Sequence, residues 1–303
     1  MKIALKKQVF ILALALGCYT IGKAQDVDLF KSQEEQDKKD QLNKTDYTTA
    51  IFKTTRLING QSIENVGAGI LDVKISHRFN PVNEGSYTLF GLDAASMRMG
   101  VDYGINKWLM VGVGRSTFEK TYDGFAKAKL LRQSTGKIKM PISVSVAGSV
   151  IWKTVKNSQL NNYSDRFSYS AQVLVARKFN DYISLQLMPT LVHYNSVDYS
   201  YQKNDKYSLG VGGRLRLSKR VNLTTEYYYR FTKDEGYVNS FSAGFDIETG
   251  GHVFQFHFTN STGMTERTFI NETTDKWGDG GIRFGFNIAR VFTIKKPKEI
   301  KAL

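Results

Sequence analysis

From Gly67 to Phe292 polar and apolar residues exchange at almost every second position, a period that restricts the chain to extended strands with two unlike faces. In SMRMGVDYGI, Met97, Met99, Val101, Tyr103 and Ile105 share one side, and Ser96, Arg98, Gly100, Asp102 and Gly104 the other. YSLGVGGRLRL, VNLTTEYYYRF and IRFGFNIARVF repeat the division. Such segments lie near 67–79, 96–105, 108–117, 121–132, 141–155, 166–179, 182–196, 206–217, 221–232, 237–248, 252–261 and 281–293. YDGFAKAKLLR, in the fourth, alternates poorly.

The connections carry separate information. NK at 106, FNDY at 179, SKRV at 218 and ETGG at 248 are short, and the links between them are expected to be long, reaching STGMTERTFINETTDKWGDG from 261. About 12 strands, an even number, with short and long links in turn predict a transmembrane antiparallel β-barrel with tight periplasmic turns. QSTGKIKMP at 133 is longer than that rule expects.

Alternation alone does not say which face looks inward. GGHVFQFHFTNST sets Phe254, Phe256 and Phe258 against Gln255, His257 and Thr259. An Arg or Lys facing lipid at mid-depth costs roughly 2–4 kcal/mol. The polar faces also hold most glycines, which would weaken the wet surface of a soluble sheet but leave room for long side chains in a crowded lumen. The phenylalanines therefore face hydrocarbon. The candidate lumen-lining charges are Asp72, Arg98, Asp102, Arg214, Arg216, Glu226, Arg230, Asp246, Glu248 and Arg283, joined by His257. Tyr103, Trp108, Tyr182, Tyr237, Trp277 and Phe292 lie near strand ends, where interfacial aromatic girdles are expected.

The fold class is thus all-β, after a cleaved N-terminal signal peptide. Lys2, Lys6 and Lys7 precede the apolar run Val9 to Leu16, and Gly22-Lys23-Ala24 supplies a cleavage site before Gln25. Ala15-Leu16-Gly17-Cys18 loosely resembles a lipoprotein box, with Ala15 where Leu is favoured. The expected organisation is signal peptide 1–24, polar periplasmic leader 25–48, a lead-in or lumenal plug segment 49–66, the barrel 67–294 and a basic tail 295–303. Nothing after the signal approaches the ~20 consecutive apolar residues of a membrane helix.

The formal charge is +14, and the four lysines of the signal reduce it to about +10 in the processed chain. Basic residues are spread over strands and turns without a basic helix or zinc motif, so nucleic acid is not an expected partner. Outer-membrane lipids and the barrel-assembly machinery are. Lys107, Lys137, Lys139, Lys178, Lys219 and Arg220 would share the periplasmic rim, where they either solubilise the turns or meet an acidic periplasmic partner.

The four histidines, His77, His193, His252 and His257, show no metal-ligand spacing, and no metal or cofactor is expected. By parity His257 points inward and the other three outward. His257 with Thr259 and Ser261 invites comparison with membrane-embedded phospholipases, but those present their dyad to lipid, and the same-face neighbour here is Thr259. No catalytic residue is expected. The glycine-rich LGVGGRLRL and LMVGVGRS neither open a helix nor continue to Gly-Lys-Ser/Thr, so they read as packing, not phosphate loops.

GLDAASMRMGVDYGINKWLMVGVGRSTFEKTYDGFAKAKLLRQSTG, SLQLMPTLVH and FDIETGGHVFQFHFTNST resemble the outer-membrane β-barrel proteins of Bacteroidota classed as a domain of unknown function, from about Thr49 to Thr293. The resemblance implies fold and cell outer membrane location and brings no catalytic residues. The functional expectation is a passive channel or the barrel subunit of an envelope assembly. Its arginines would favour anions; its carboxylates would oppose them or pair with them across a closed lumen. The alternatives are a plugged structural barrel without transport and a lipid-acting enzyme.

Overall fold

The computed structural model describes residues 43–155, 162–197 and 202–295. The expected signal peptide, nearly all of the leader and the tail beyond 295 lie outside these residues.

Period-2 segments become strands with one face buried and one exposed. Twelve close into an antiparallel barrel: β2 (Ile70–Pro81), β3 (Ala95–Gly104), β4 (Leu109–Ser116), β5 (Thr121–Leu131), β7 (Ser143–Lys153), β8 (Phe167–Lys178), β9 (Ile183–Tyr194), β10 (Asp205–Arg216), β11 (Val221–Arg230), β12 (Ser240–Thr249), β13 (His252–Thr259) and β14 (Arg283–Thr293). Each pairs with the next in the chain, and β14 closes on β2 with Phe286 opposite His77. Closure leaves no unpaired barrel edge, as a hydrocarbon environment demands. Two further strands, β1 (Thr45–Tyr47) and β6 (Ser134–Gly136), form a separate ribbon. Among the described residues no helix is long and apolar enough to cross a membrane.

The opening alternation resolves as expected on β13, where Phe256 and Phe258 are exposed while Gln255 and His257 are buried. On the outer surface the His77 ring stacks on Phe286 at 4.8 Å and Phe79 stacks on Phe284 at 5.8 Å. Trp108, Tyr182 and Phe292 are exposed near strand ends at the periplasmic side. Tyr237 departs from the girdle expectation. It lies in the β11–β12 link, with the Arg230 guanidinium over its ring at 5.8 Å. Trp277 lies in the β13–β14 link and donates its indole N–H to the Phe241 carbonyl at 3.1 Å.

One expectation about the connections is corrected, and the exception among them gains a cause. The β4–β5 link, expected to be long, is only residues 117–120. The long turn after β5 is long because it builds its own hairpin, with Ser134 opposite Met140, and that hairpin accepts β1 as a third strand. The Arg132 guanidinium caps the Tyr47 ring at 4.3 Å.

The poor alternation of β5 also has a cause. Thr121, Asp123, Phe125 and Lys127 face inward and Gly124, Ala126 and Ala128 outward, so the large residue and the small ones occupy the reverse of the usual sides. A register irregularity between Lys129 and Leu131 then turns both Leu130 and Leu131 outward. Phe125 points inward because the lumen is not empty: it packs with Val66 and Met110, and the Arg56 guanidinium lies 5.4 Å from its ring centre.

Candidate functional site: a filled lumen

Most of residues 51–66 are buried among the inward-facing side chains of the barrel strands. The segment enters as a hairpin, Arg56 opposite Gln61, with the Leu57 N–H bonded to the Gly60 carbonyl at 2.8 Å. A short hairpin inside a barrel has no neighbouring strand to satisfy its outward-facing N–H and C=O groups, and leaving them unpaired is costly. Side chains of the barrel wall take that role. Glu226 of β11 accepts the N–H groups of Ile58, Asn59 and Gly60 at 3.3, 2.8 and 3.0 Å. Gln186 of β9 accepts the Ile63 N–H and donates to the Gln61 carbonyl, both at 2.7 Å. Gln255 of β13 donates to the Leu57 carbonyl at 2.5 Å and Asn287 of β14 to that of Ile58 at 3.1 Å. Lys127 of β5 donates to the carbonyls of Thr55 at 3.0 Å and Ser62 at 2.8 Å. At the periplasmic end Arg214 of β10 donates to the Ala50 carbonyl at 2.9 Å.

The apolar side chains of the hairpin meet a second insertion from the other end. The β13–β14 link folds inward as a short helix, α1 (Glu266–Asn271), all of whose residues are buried. Thr265 caps it through a reciprocal bond with Thr268. Phe269 and Ile270 of α1 join Ile51, Phe52, Leu57 and Ile63 of the hairpin against Leu174, Ala176, Met188 and Tyr228 of the wall. The Phe269 and Tyr228 rings meet edge to face at 5.1 Å. The barrel therefore has a small apolar core inside its polar lining. Glycines make the room: a Cβ on Gly212 would overlap Leu57, and one on Gly210 would stand 2.6 Å from the Tyr228 ring. Arg56 and Glu266 join the two insertions through an ion pair at 3.4 Å.

Most of the charges expected in the lumen are buried there, each with a partner. Arg98 clasps Asp123 through two bonds of 2.9 and 2.5 Å. Asp72 and Asp102 both pair with Lys74, Asp72 at 2.9 Å, and Asp102 also accepts the Thr55 hydroxyl at 2.9 Å. Arg230 pairs with Asp234 at 3.3 Å and Arg283 with Asp275 at 2.6 Å. Asp246 accepts from Thr224 at 2.6 Å and Gln255 at 2.8 Å. Two of the set lie elsewhere. Arg216 reaches the Ser218 carbonyl at the periplasmic rim at 3.2 Å, and Glu248 sits half exposed at that mouth, paired with Lys53 of the hairpin at 2.6 Å. His257 is buried beside Gly285 and Arg78, and among the described residues neither ring nitrogen has a hydrogen-bond partner. Ser261 bonds the Gly263 carbonyl at 3.1 Å and Thr259 bonds Ser242 at 2.8 Å, so neither hydroxyl meets the imidazole.

Lys74, Arg78, Asp123, Lys127 and Lys206 are buried charged residues of the barrel strands outside the expected set. Lys74 and Arg78 share the parity of Asp72 in one strand, a signal that was present; Asp123 and Lys127 sit on β5, whose reversed pattern hid its inward face.

Above α1, Arg267 bonds Glu119 and Glu272, each at 2.9 Å, and Lys153 also pairs with Glu119. Burial pushes the Glu272 carboxyl above its usual range, Arg267 pulls it back and Glu119 adds to the rise. The same two carboxylates hold the Arg267 guanidinium firmly in its charged form against the cost of its burial. At the periplasmic mouth a cavity of about 360 Å³ lies between the hairpin and the wall, lined by Phe52, Thr54, Asp72, Val253, Ala289 and Val291. Among the described residues no group of three or more His, Cys, Asp or Glu is placed to hold a metal ion.

A closed barrel of twelve antiparallel strands, apolar outside and ion-paired inside, defines an outer-membrane β-barrel with a porin-like architecture. The chain belongs to the family described as the membrane-bound β-barrel domain DUF5777, which it matches over residues 52–292. The matched span begins inside the hairpin and ends in the last barrel strand. No curated protein matches the chain. Similar solved structures include the NanC porin, 9% identical over 75% of this chain and 100% of that one, with a TM-score of 0.45. The KdgM porin is 11% identical over 73% and 99%, with a TM-score of 0.45. An outer membrane channel from Pseudomonas putida F1 is 11% identical over 76% and 98%, with a TM-score of 0.44.

Proposed function

We propose that this chain is a gated outer-membrane channel of a Bacteroidota envelope, held shut by residues 49–66 and opened when they withdraw toward the periplasm. One observation carries the reading: the hairpin is held by side-chain bonds to its backbone from strands all around the wall, a fitted seat for a separable part. A lumen that only needed filling could be filled by side chains, as smaller barrels are. The cavity of about 360 Å³ beside the hairpin's shoulder leaves that part unpacked on the side toward which it would move.

A passive, permanently open channel is not supported by this arrangement, because the hairpin and α1 meet across the lumen. A permanently plugged barrel remains the rival. A lipid-acting enzyme finds no support in His257, which faces the interior behind the hairpin without a hydroxyl partner.

Planar-bilayer recording tests the proposal. Wild-type protein should be silent or flicker briefly, and a variant lacking residues 49–66 should conduct steadily. A steady wild-type current would overturn the gate; a well-folded deletion variant that stays silent would favour the permanent plug.

A further inference from the structure

The wall carries buried cations whose partners belong to the removable segment. Among the described residues Lys127 has no carboxylate in salt-bridge range; its ammonium rests on the carbonyl oxygens of Thr55 and Ser62 at 3.0 and 2.8 Å. Arg78 donates to the Asn59 side-chain oxygen at 2.6 Å, its other bond going to the backbone of its own strand. Arg214 donates to the Ala50 carbonyl at 2.9 Å. The hairpin thus solvates these three with neutral oxygens. The remaining cations of the wall pair with carboxylates that stay behind, as Arg98 does with Asp123 and Lys74 with Asp72 and Asp102.

Removing the hairpin therefore leaves these three cations without the oxygens that receive their hydrogen bonds. Among the buried strand residues of the wall, cations outnumber carboxylates eight to five, and Asp234 and Asp275 of the links pair with three of the eight, Lys206, Arg230 and Arg283. Carboxylates are freed as well: Glu226 loses its N–H partners, Glu266 of α1 loses Arg56 and Glu248 at the periplasmic mouth loses Lys53, so three carboxylates stand beside the three freed cations. The three stand at different heights: Arg214 near the periplasmic end of β10, Lys127 below the middle of β5 and Arg78 in the outer half of β2. A narrow, low-dielectric passage focuses the field of such charges along its length. The carbonyl oxygens mark where oxygens of a passing solute would be received.

We propose that the channel opened by withdrawal of residues 49–66 passes anions bearing carboxylate, phosphate or sulfate groups, with Arg78, Lys127 and Arg214 as the residues that select them. This rests on the gated-channel reading.

The test is the reversal potential under a KCl gradient, recorded from the variant lacking residues 49–66. A full-length Glu226→Ala, Gln186→Ala variant, whose hairpin is loosened but present, supplies opening events should the deletion fail to fold. Chloride should permeate more readily than potassium in both, and adding Arg78→Gln, Lys127→Gln and Arg214→Gln should shift the reversal potential toward the potassium side. Acetate, phosphate and sulfate as sole anions then distinguish the solute groups. Currents that favour potassium, or a selectivity the triple substitution leaves unmoved, overturn the inference and leave the gate standing. Silence from both folded variants removes the gate and the inference with it.

Discussion

The Glu226 carboxylate on the barrel wall accepts the backbone N–H of Gly60 at the tip of the lumenal hairpin at 3.0 Å, and holds the N–H groups of Ile58 and Asn59 as well. Hydrogen bonds to a charged group contribute about 1.5–3 kcal/mol each, and several on one carboxylate do not add in full. Glu226→Ala should weaken seating of the hairpin by roughly 3 kcal/mol or more. Glu226→Gln, which keeps one acceptor oxygen, should fall between. Tryptic cleavage after Lys53 and Arg56 in the folded barrel reads this directly, and an alanine variant as protected as wild type would remove Glu226 from the seat.

Arg98 and Asp123 sit on β3 and β5, and the strand between them offers only Gly112 and Gly114 at that level, so the pair meets across β4. Deleting one partner of a buried ion pair strands the other and typically costs about 3–5 kcal/mol. Arg98→Ala and Asp123→Ala should each lower the temperature at which the barrel loses its compact gel mobility. The double variant Arg98→Met, Asp123→Leu should recover most of the loss, since it buries no lone charge. Equal damage from the double and the single variants would argue against the pair.

The barrel was legible in the sequence, and the pairings inside it were not, for one physical reason. Lipid imposes the same demand on every strand, so Phe256 and Phe258 announce their face locally. Inside, partners are set by closure. Nothing near Lys127 indicates that it will meet the carbonyls of Thr55 and Ser62, and nothing near Glu226 points to residue 60. Even β5, read with least regularity, was irregular because Phe125 serves the interior contents. The hairpin itself lacks a period because its bonds run to side chains on strands all around the wall.

Glu272 gives the outer insertion a pH dependence. Its carboxyl is raised above the ordinary 4.5 by burial. A group whose folded-state pKa is raised binds its proton more tightly when docked, so its contribution is fully present below the ordinary value and fades as pH rises through the raised one. Docking of α1 should therefore tighten on acidification from neutral pH. Hydrogen exchange of the Phe269 and Ile270 amides, corrected for the intrinsic pH effect, should slow over that window. Glu272→Gln should flatten the profile; an unchanged profile would assign the effect elsewhere.

The hairpin also has an anchor outside the barrel. Tyr47 of β1 is the antiparallel partner of Ser134 of β6, and Thr48 donates its N–H to the Gln133 carbonyl at 2.8 Å, so the chain is pinned to the long periplasmic turn before it enters the lumen. Facing residues in an antiparallel ladder have Cα atoms about 4.5–5.5 Å apart, within the span of a disulfide. A Tyr47→Cys, Ser134→Cys variant should cross-link on oxidation, seen as a mobility shift on a non-reducing gel. If withdrawal begins by peeling β1 from β6, the cross-link should also silence the currents that Glu226→Ala releases, and reduction should restore them. A cross-linked Glu226→Ala barrel that still conducts would show that the hairpin leaves its seat while β1 stays in place, moving the hinge to residues 48–50. Failure to cross-link at all would mean that the chain does not enter beside this turn.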